Sequence, residues 1–246
     1  MRRLFTPRWL LVHVSVSALV ITMVFLGFWQ LNRLDERRLR NDTIAANTSA
    51  PIEDATQSMG QENEEWRRVT LTGQYLAPTE VSIINRSQDG AAGDNLAVVF
   101  KTETNGNFLV NRGFVPLTVS SRSLPEGQLS IVGFIRPNQT RGTLGAVDSS
   151  EKGTTQFQRF DLTRISASLD VDFNTTYYVQ LIKESPSPNT PWPSPVPFPA
   201  VDEGPHFSYA MQWFFFALVA LVAWVYVVRR KLREMSSDPA PTQTSA

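Results

Sequence analysis

The 246-residue chain has no cysteine, only two histidines, and no glycine-rich phosphate loop. Without cysteine there are no disulfides, zinc ribbons, thiolate-ligated metals or thiol redox steps, although either redox compartment remains open. The histidines, His13 and His206, lie near opposite ends. A Ser-His-Asp triad or a histidine-ligated metal therefore cannot be assembled from the central region alone. Charge is missing too, in two long stretches. Trp9 to Gln30 and Phe207 to Val228 are each 22 residues without Asp, Glu, Lys or Arg, so all 23 basic and 23 acidic residues fall elsewhere. This distribution argues against a fully soluble chain.

As a helix each run is about 33 Å long, enough to cross a hydrocarbon core of about 30 Å. The first ends near Phe28 and Trp29. The second has Tyr209 and Trp213 towards one end and Trp224 and Tyr226 towards the other, as interfacial aromatic belts do. A cleaved signal peptide needs a shorter apolar core and a small-residue cleavage site, whereas this chain continues Gly27-Phe28-Trp29-Gln30-Leu31-Asn32-Arg33. The formal charge of zero hides a pattern. Arg2, Arg3 and Arg8 precede the first run, Arg229, Arg230, Lys231 and Arg233 follow the second, and residues 32 to 205 carry 16 basic against 21 acidic groups. The basic cluster after the second run predicts a cytoplasmic C-terminus, and two crossings bring the N-terminus to the same side. The central region is then extracytoplasmic. Its acidic balance argues against nucleic acid as a partner.

The expected division is a cytoplasmic head (1–8), transmembrane helix 1 (9–30), a helical extension with an acidic loop (31–65), an extracytoplasmic β domain (66–185), a proline-rich linker (186–205), transmembrane helix 2 (206–228) and a cytoplasmic tail (229–246). Leu31 to about Ala46 is rich in helix formers and continues the first helix, while Asn47 to Glu65 reads as loop. From Trp66 the period becomes two, with Val69, Leu71, Gly73 and Tyr75 on one face. Similar runs occur at Val81 to Asn85, Leu96 to Thr104, Asn107 to Val115, Leu129 to Arg136, Phe157 to Asp161 and Thr176 to Glu184. Glu103 to Asn107 predicts a hairpin turn, and Asp161 a cap on a short helix presenting Leu162, Ile165 and Leu169. The fold class predicted is membrane α + β: N- and C-terminal transmembrane helices flanking a mainly antiparallel β domain with one short helix. Seven prolines between Pro186 and Pro199 read as a stiff spacer returning the chain to the bilayer, with a proline-motif docking site as the alternative. The tail after Glu234 is predicted to be disordered.

Within the β domain, Ser149-Ser150-Glu151-Lys152 matches a Ser-x-x-Lys nucleophile pattern, but its setting of glycines, charges and hydroxyls reads as a solvated loop. The chemistry is better placed where the helices meet the outer leaflet. His206 opens the second span, Tyr209, Ala210 and Trp213 follow at spacings of 3, 4 and 7, and the two-span topology brings Trp29, Gln30 and Arg33 to the same level. A neutral imidazole can ligate haem iron, and Arg33 or Arg37 can pair with a propionate, so these residues have the parts of a haem contact site. The alternative is an interfacial belt in which His206 and Tyr209 anchor the helix. His13 lies near the cytoplasmic face and cannot share an iron with His206.

Five motifs then carry a resemblance: Leu26-Gly27-Phe28-Trp29-Gln30-Leu31-Asn32-Arg33, Val69 to Tyr75, Val110-Asn111-Arg112-Gly113-Phe114-Val115-Pro116, Gly133-Phe134-Ile135-Arg136-Pro137 and His206 to Trp213. In this order, with two spans and a proline-rich return, they resemble the Surfeit locus protein 1 family over residues 26 to 228. The resemblance implies an assembly factor for haem-copper (aa3-type) cytochrome c oxidase, not an enzyme, handling haem a transiently for the catalytic subunit. It implies the catalytic subunit, the haem a synthesis machinery and the lipid bilayer as partners. Carried over by position, the resemblance implies His206 as the iron ligand and Tyr209, Trp213, Trp29, Gln30 and Arg33 as its surroundings. Phe114 stands where the family usually has Trp. Arg112 is a candidate contact for the partner oxidase, or else a charged strand-end residue. The short head predicts a bacterial plasma-membrane protein. The competing class is a membrane-anchored extracytoplasmic ligand-binding or sensory module; a third is a membrane-tethered hydrolase.

Overall fold

Helix α1 (Pro7–Ser49) starts at a proline suited to a first helical turn and runs through the apolar stretch and the charged extension without interruption. Pro51 follows its end. The computed structural model describes residues 6–55, 64–103, 106–119, 124–143, 145–199 and 201–236, so the expectations for the tail beyond Ser236 and for the turn at Thr104 and Asn105 lie outside the described residues. The chain divides into two compact units, Met1–Asn41 with Val201–Ala246, and Asp42–Ala200.

The first unit pairs α1 with the C-terminal helix, His206–Ser236, here α3. Both are long and apolar enough to cross a membrane. Along α1 the sheltered positions include Trp9, His13, Val16, Val20, Gly27, Gln30 and Leu34; along α3 they include His206, Ala210, Trp213, Ala217, Ala220 and Trp224. Steps of three and four on both helices make a heptad seam, flanked by partly buried side chains such as Val24 and Phe214, while most other Leu, Val and Phe side chains are exposed. The helices run antiparallel, with His13 against Trp224, Gly27 against Phe214 and Gln30 against His206. Small residues bring the backbones close, as membrane helix pairs require. A Cβ on Gly27 would fall 2.5 Å from a Phe214 ring carbon.

The second unit is a β domain with strands β1 (Glu53–Asp54), β2 (Arg68–Tyr75), β3 (Val81–Gln88), β4 (Ala91–Thr102), β5 (Asn107–Pro116), β6 (Leu129–Pro137), β7 (Gln156–Phe157) and β8 (Tyr177–Ser185), and helix α2 (Leu162–Leu169). The sheet order is β1-β2-β6-β8-β5-β4-β3-β7, and an added β2–β4 pairing closes β2, β6, β8, β5 and β4 into a ring. Pairing is antiparallel except for β1–β2, β3–β7 and β5–β8. Closure depends on Gly73, where a Cβ would fall 2.0 Å from the Lys101 carbonyl oxygen of β4. Inside the ring pack Val69, Leu71, Val98, Phe100, Phe108, Val110, Ile131, Ile135 and Val179. Outside it Ala97, Val99, Leu109 and Tyr178 meet Ile165, Phe160 and Phe173. The continuous run Leu96 to Phe100 follows from this, because β4 is buried on both faces.

The α + β architecture with terminal apolar helices is as predicted, and four local expectations are corrected. The runs expected at Val81 to Asn85 and Leu96 to Thr104 extend to Gln88 and back to Ala91, joined by a tight hairpin turn with Asp89 and Gly90 at φ of 51° and 81°. Such Asp-Gly pairs supply positive φ to a two-residue turn. Only Gln156–Phe157 of the strand expected at Phe157 to Asp161 pairs, because the chain turns at once into α2. There the Asp161 cap holds, Arg164 N–H donating to its Oδ1 at 3.3 Å. Within Asn47 to Glu65, α1 extends to Ser49 and Glu53–Asp54 pairs with β2. Lastly, the proline-rich stretch is extended but docked. Phe114 N–H donates to Ser194 O at 2.8 Å, Ser194 N–H donates to Phe114 O at 2.9 Å, and Phe198 packs on Trp66 and Phe134. The stretch fills the edge of β5 where β8 no longer pairs with it.

Candidate functional site

The seam places one polar pair among apolar side chains at the end of the membrane-spanning stretch. His206 Nδ1 lies 2.9 Å from Gln30 Oε1. His206 is half-buried and follows Gly204-Pro205, whose glycine adopts φ +65°. Its other neighbours are not all those expected. Trp213 shares the seam with His206 and meets Phe216 edge-on. Tyr209 lies off the seam and is 49% exposed, because the next seam position after His206 is Ala210 rather than Tyr209. Trp29 is also exposed, its ring 5.7 Å from the Arg33 guanidinium, while Arg33 donates to Glu36 Oε2 at 2.6 Å.

One helical turn further along α1, arginines clasp the residues that precede α3. Arg37 donates to the Asp202 backbone oxygen and to its Oδ1, both at 3.1 Å; Arg38 grips Glu203 with two bonds of 2.8 and 3.0 Å; Asn41 donates to Asp202 O at 2.9 Å. The hydrogen bond from Arg38 holds the Glu203 carboxyl below its ordinary range. The arginines suited to a propionate therefore already hold carboxylates, though exposed pairs of this kind exchange readily. His13 is occupied differently, accepting from Trp224 Nε1–H at 3.2 Å.

As a haem contact, the donor set supplies one imidazole whose Nδ1 is engaged by Gln30 and whose Nε2 is the nitrogen left for a metal. It fits a single axial ligand. Among the described residues no group of three His, Asp or Glu side chains converges for a metal ion.

In the β domain, Arg112 is placed inside, not at a partner-facing surface. Its side chain is 1% exposed and donates to Glu184 Oε1 at 2.9 Å. Tyr75 O–H donates to Glu184 Oε2 at 2.7 Å, and its ring lies 5.0 Å from the guanidinium. Burial and the Glu184 carboxylate push the Tyr75 phenol well up. The strand-end expectation is corrected, because Arg112 lies in the middle of β5 and is buried. The signal was present: Phe108, Val110 and Arg112 share one face of β5, and the first two are core. The docked proline stretch covers this end, leaving a cleft of about 260 Å³ bordered by Arg112, Leu181, Glu184, Ser187, Pro191 and Pro195. Gly113 makes room for it, since a Cβ there would fall 2.0 Å from Ser194 O. The Ser-x-x-Lys match forms no nucleophile pair. Ser149 Oγ accepts from Glu151 N–H, and Lys152 holds Asp170 at 2.6 Å in solvent.

Two apolar helices joined along a seam, with a small closed β domain between them in sequence, define a membrane-anchored protein with one polar pair at the helix ends and a buried ionic cluster in the β domain. Residues 17–218 match the SURF1 family, and the chain belongs to it. It is similar to a SURF1-like protein of Mycobacterium bovis, 26% identical over 253 residues covering 97% of this chain and 91% of the relative. A SURF1-like protein of Rickettsia conorii is 27% identical over 229 residues, 91% of this chain and 92% of the relative. A protein of Saccharomyces cerevisiae named as a cytochrome oxidase assembly protein is 30% identical over 179 residues, 65% of this chain and 45% of the relative.

Proposed function

We propose that the protein assists assembly of a haem-copper (aa3-type) cytochrome c oxidase, handling haem a for the catalytic subunit and catalysing no reaction of its own. The observation that carries this reading is the Gln30–His206 pair, an imidazole held on one nitrogen at a membrane-helix end within a SURF1 family chain. The yeast relative's name as an oxidase assembly protein supports the oxidase as client. His206 is the proposed axial ligand, Trp213 lies beyond Ala210 on the same seam, and Arg33 and Arg37 are the cations available to propionates once Glu36 and Asp202 release them. Trp29 and Tyr209 lie exposed beside the pair and offer ring faces to a macrocycle. Haem itself supplies iron and a conjugated ring that must be kept from water until delivery. The haem a synthesis machinery is the proposed donor, and the bilayer the medium. The host is a bacterium, with both termini cytoplasmic and the β domain outside the plasma membrane; the basic residues after Val228 support this orientation.

Deleting the gene is expected to remove the haem a absorption band and oxidase activity while leaving other membrane proteins normal. His206→Ala is expected to lower haem recovered with the purified protein, and His13→Ala to leave it unchanged. Equal recovery from both variants would reject direct ligation. A cysteine placed at Ser149 is expected to react with an impermeant reagent from outside, and a cysteine at Ser245 is not; the reverse pattern would reject the orientation.

A further inference from the structure

We propose that Gln30 holds His206 in the tautomer whose Nε2 is free to bind iron, and that the two histidines of this protein are fixed in opposite tautomers. The ligation half rests on the haem reading above; the tautomer half stands on hydrogen bonding alone. A neutral imidazole carries one N–H and one lone pair, and the partner of each nitrogen decides which is which. At His206 the atom facing Nδ1 is an amide oxygen, 2.9 Å away. An amide oxygen only accepts, so Nδ1 carries the proton and Nε2 the lone pair. At His13 the atom facing Nδ1 is the indole nitrogen of Trp224, 3.2 Å away. An indole N–H only donates, so the His13 lone pair is spent on Nδ1 and its proton sits on Nε2.

The consequence for a metal is opposite at the two sites. His13 has no free lone pair to give. His206 has one, on the side of the ring next to Gly204, where a Cβ would lie in ordinary van der Waals contact with Nε2 at 3.7 Å. Gln30 is thereby a positioning residue acting through His206, the role that outer hydrogen-bond acceptors play for metal-binding histidines. The seam fixes its place, because Gly27 and Leu34, one turn to either side, are both buried. Turning the Gln30 amide over would set N–H groups against Nδ1 and remove the Nε2 lone pair, and that is what the measurement reads.

The test is nitrogen NMR on the full chain in lipid nanodiscs with 15N-labelled histidine, at about pH 8.5, some two units above the ordinary imidazole value of about 6.5. Two tautomer signatures are expected, the Nδ1–H set vanishing in His206→Ala and the Nε2–H set in His13→Ala. Gln30→Leu is expected to spread His206 over both tautomers, while Gln30→Glu, which keeps an acceptor, retains Nδ1–H. Titration of the same samples with iron protoporphyrin is expected to show binding weakened about 10- to 100-fold by Gln30→Leu and preserved by Gln30→Glu. A proton on Nε2 of His206 in the unmodified protein, or an unchanged tautomer in Gln30→Leu, overturns the proposal. If the tautomers behave as stated but iron protoporphyrin binds equally to the unmodified protein, Gln30→Leu and His206→Ala, the ligation half falls together with the haem reading, and the tautomer half stands.

Discussion

Arg112 in the β domain and Arg38 beside the membrane helices each meet a glutamate, at 2.9 Å and 2.8 Å. The distances are nearly equal, yet the side chains are 1% and 4% exposed in the first pair and 49% and 53% in the second. Distance therefore says little about what each pair contributes. In the β domain both ions have been taken from water, so either one left alone is a buried uncompensated charge, and the pair behaves as an all-or-none unit with Tyr75. In the clasp both ions keep their hydration, and the pair directs the chain ahead of α3 without holding the fold. Buried polar groups in this protein specify structure; exposed ones tune it.

The sharpest way to break this contrast is at Arg112. Arg112→Ala is expected to destabilise the β domain by about 3–5 kcal/mol, because Glu184 remains buried without its cation. Arg112→Met combined with Glu184→Leu removes both ions and is expected to recover most of that loss. Chemical denaturation followed by tryptophan fluorescence measures both, and a double variant no better than the single one would show that the pair is not the unit described here.

A smaller effect comes from the buried phenols. Burial raises Tyr178 to about 12 and also raises Tyr75. A raised phenol contributes stability that is complete below its ordinary value of about 10 and is lost as pH rises towards its folded value. The β domain is accordingly expected to lose stability between about pH 10 and 12, with Tyr178→Phe reducing the slope. An unchanged slope in that variant would assign alkaline unfolding elsewhere.

The least effect is expected at the clasp. Glu203 is held below its ordinary range by Arg38, so the clasp is intact at neutral pH and opens only as pH falls through that lowered value. Arg38→Ala is expected to leave the melting midpoint of the whole chain unmoved within error, at low and high salt alike. A large drop would place the clasp in the same class as Arg112 and dissolve the comparison.

These contrasts show how far the one-dimensional pattern reached. Charge-free runs of membrane-spanning length identified both helices, because in hydrocarbon nearly every residue must be apolar. Period two found most strands, since one face is core and the other is not. The β3–β4 turn was legible in Asp89-Gly90 and was missed because no hydrophobic alternation flanks it. The site was legible as residue types at two helix ends. It was not legible as a pair, because Tyr209 and Ala210 are equally good neighbours of His206 on one helix. Only contact with α1 shows that the seam passes through Ala210 and leaves Tyr209 outside.

The sequence by itself determined what depends on composition and local period: two apolar spans, their end charges, a β domain between them and the Asp161 cap. Tertiary structure decided what depends on a partner across space. In β8, Val179 and Leu181 face the core, and strict alternation would send Lys183 after them. The register shift opposite Val132 and Gly133 adds one residue at Ile182, so Glu184 turns inward and Lys183 stays in solvent. That single bulge supplies Arg112 with its anion. Likewise the proline stretch became a cover for β5 only because β8 stops pairing there, and His206 gained a hydrogen-bond partner on Nδ1 only because Gln30 stands across the seam. Neither event is written in a local pattern, because each depends on which groups the folded chain brings within hydrogen-bonding distance.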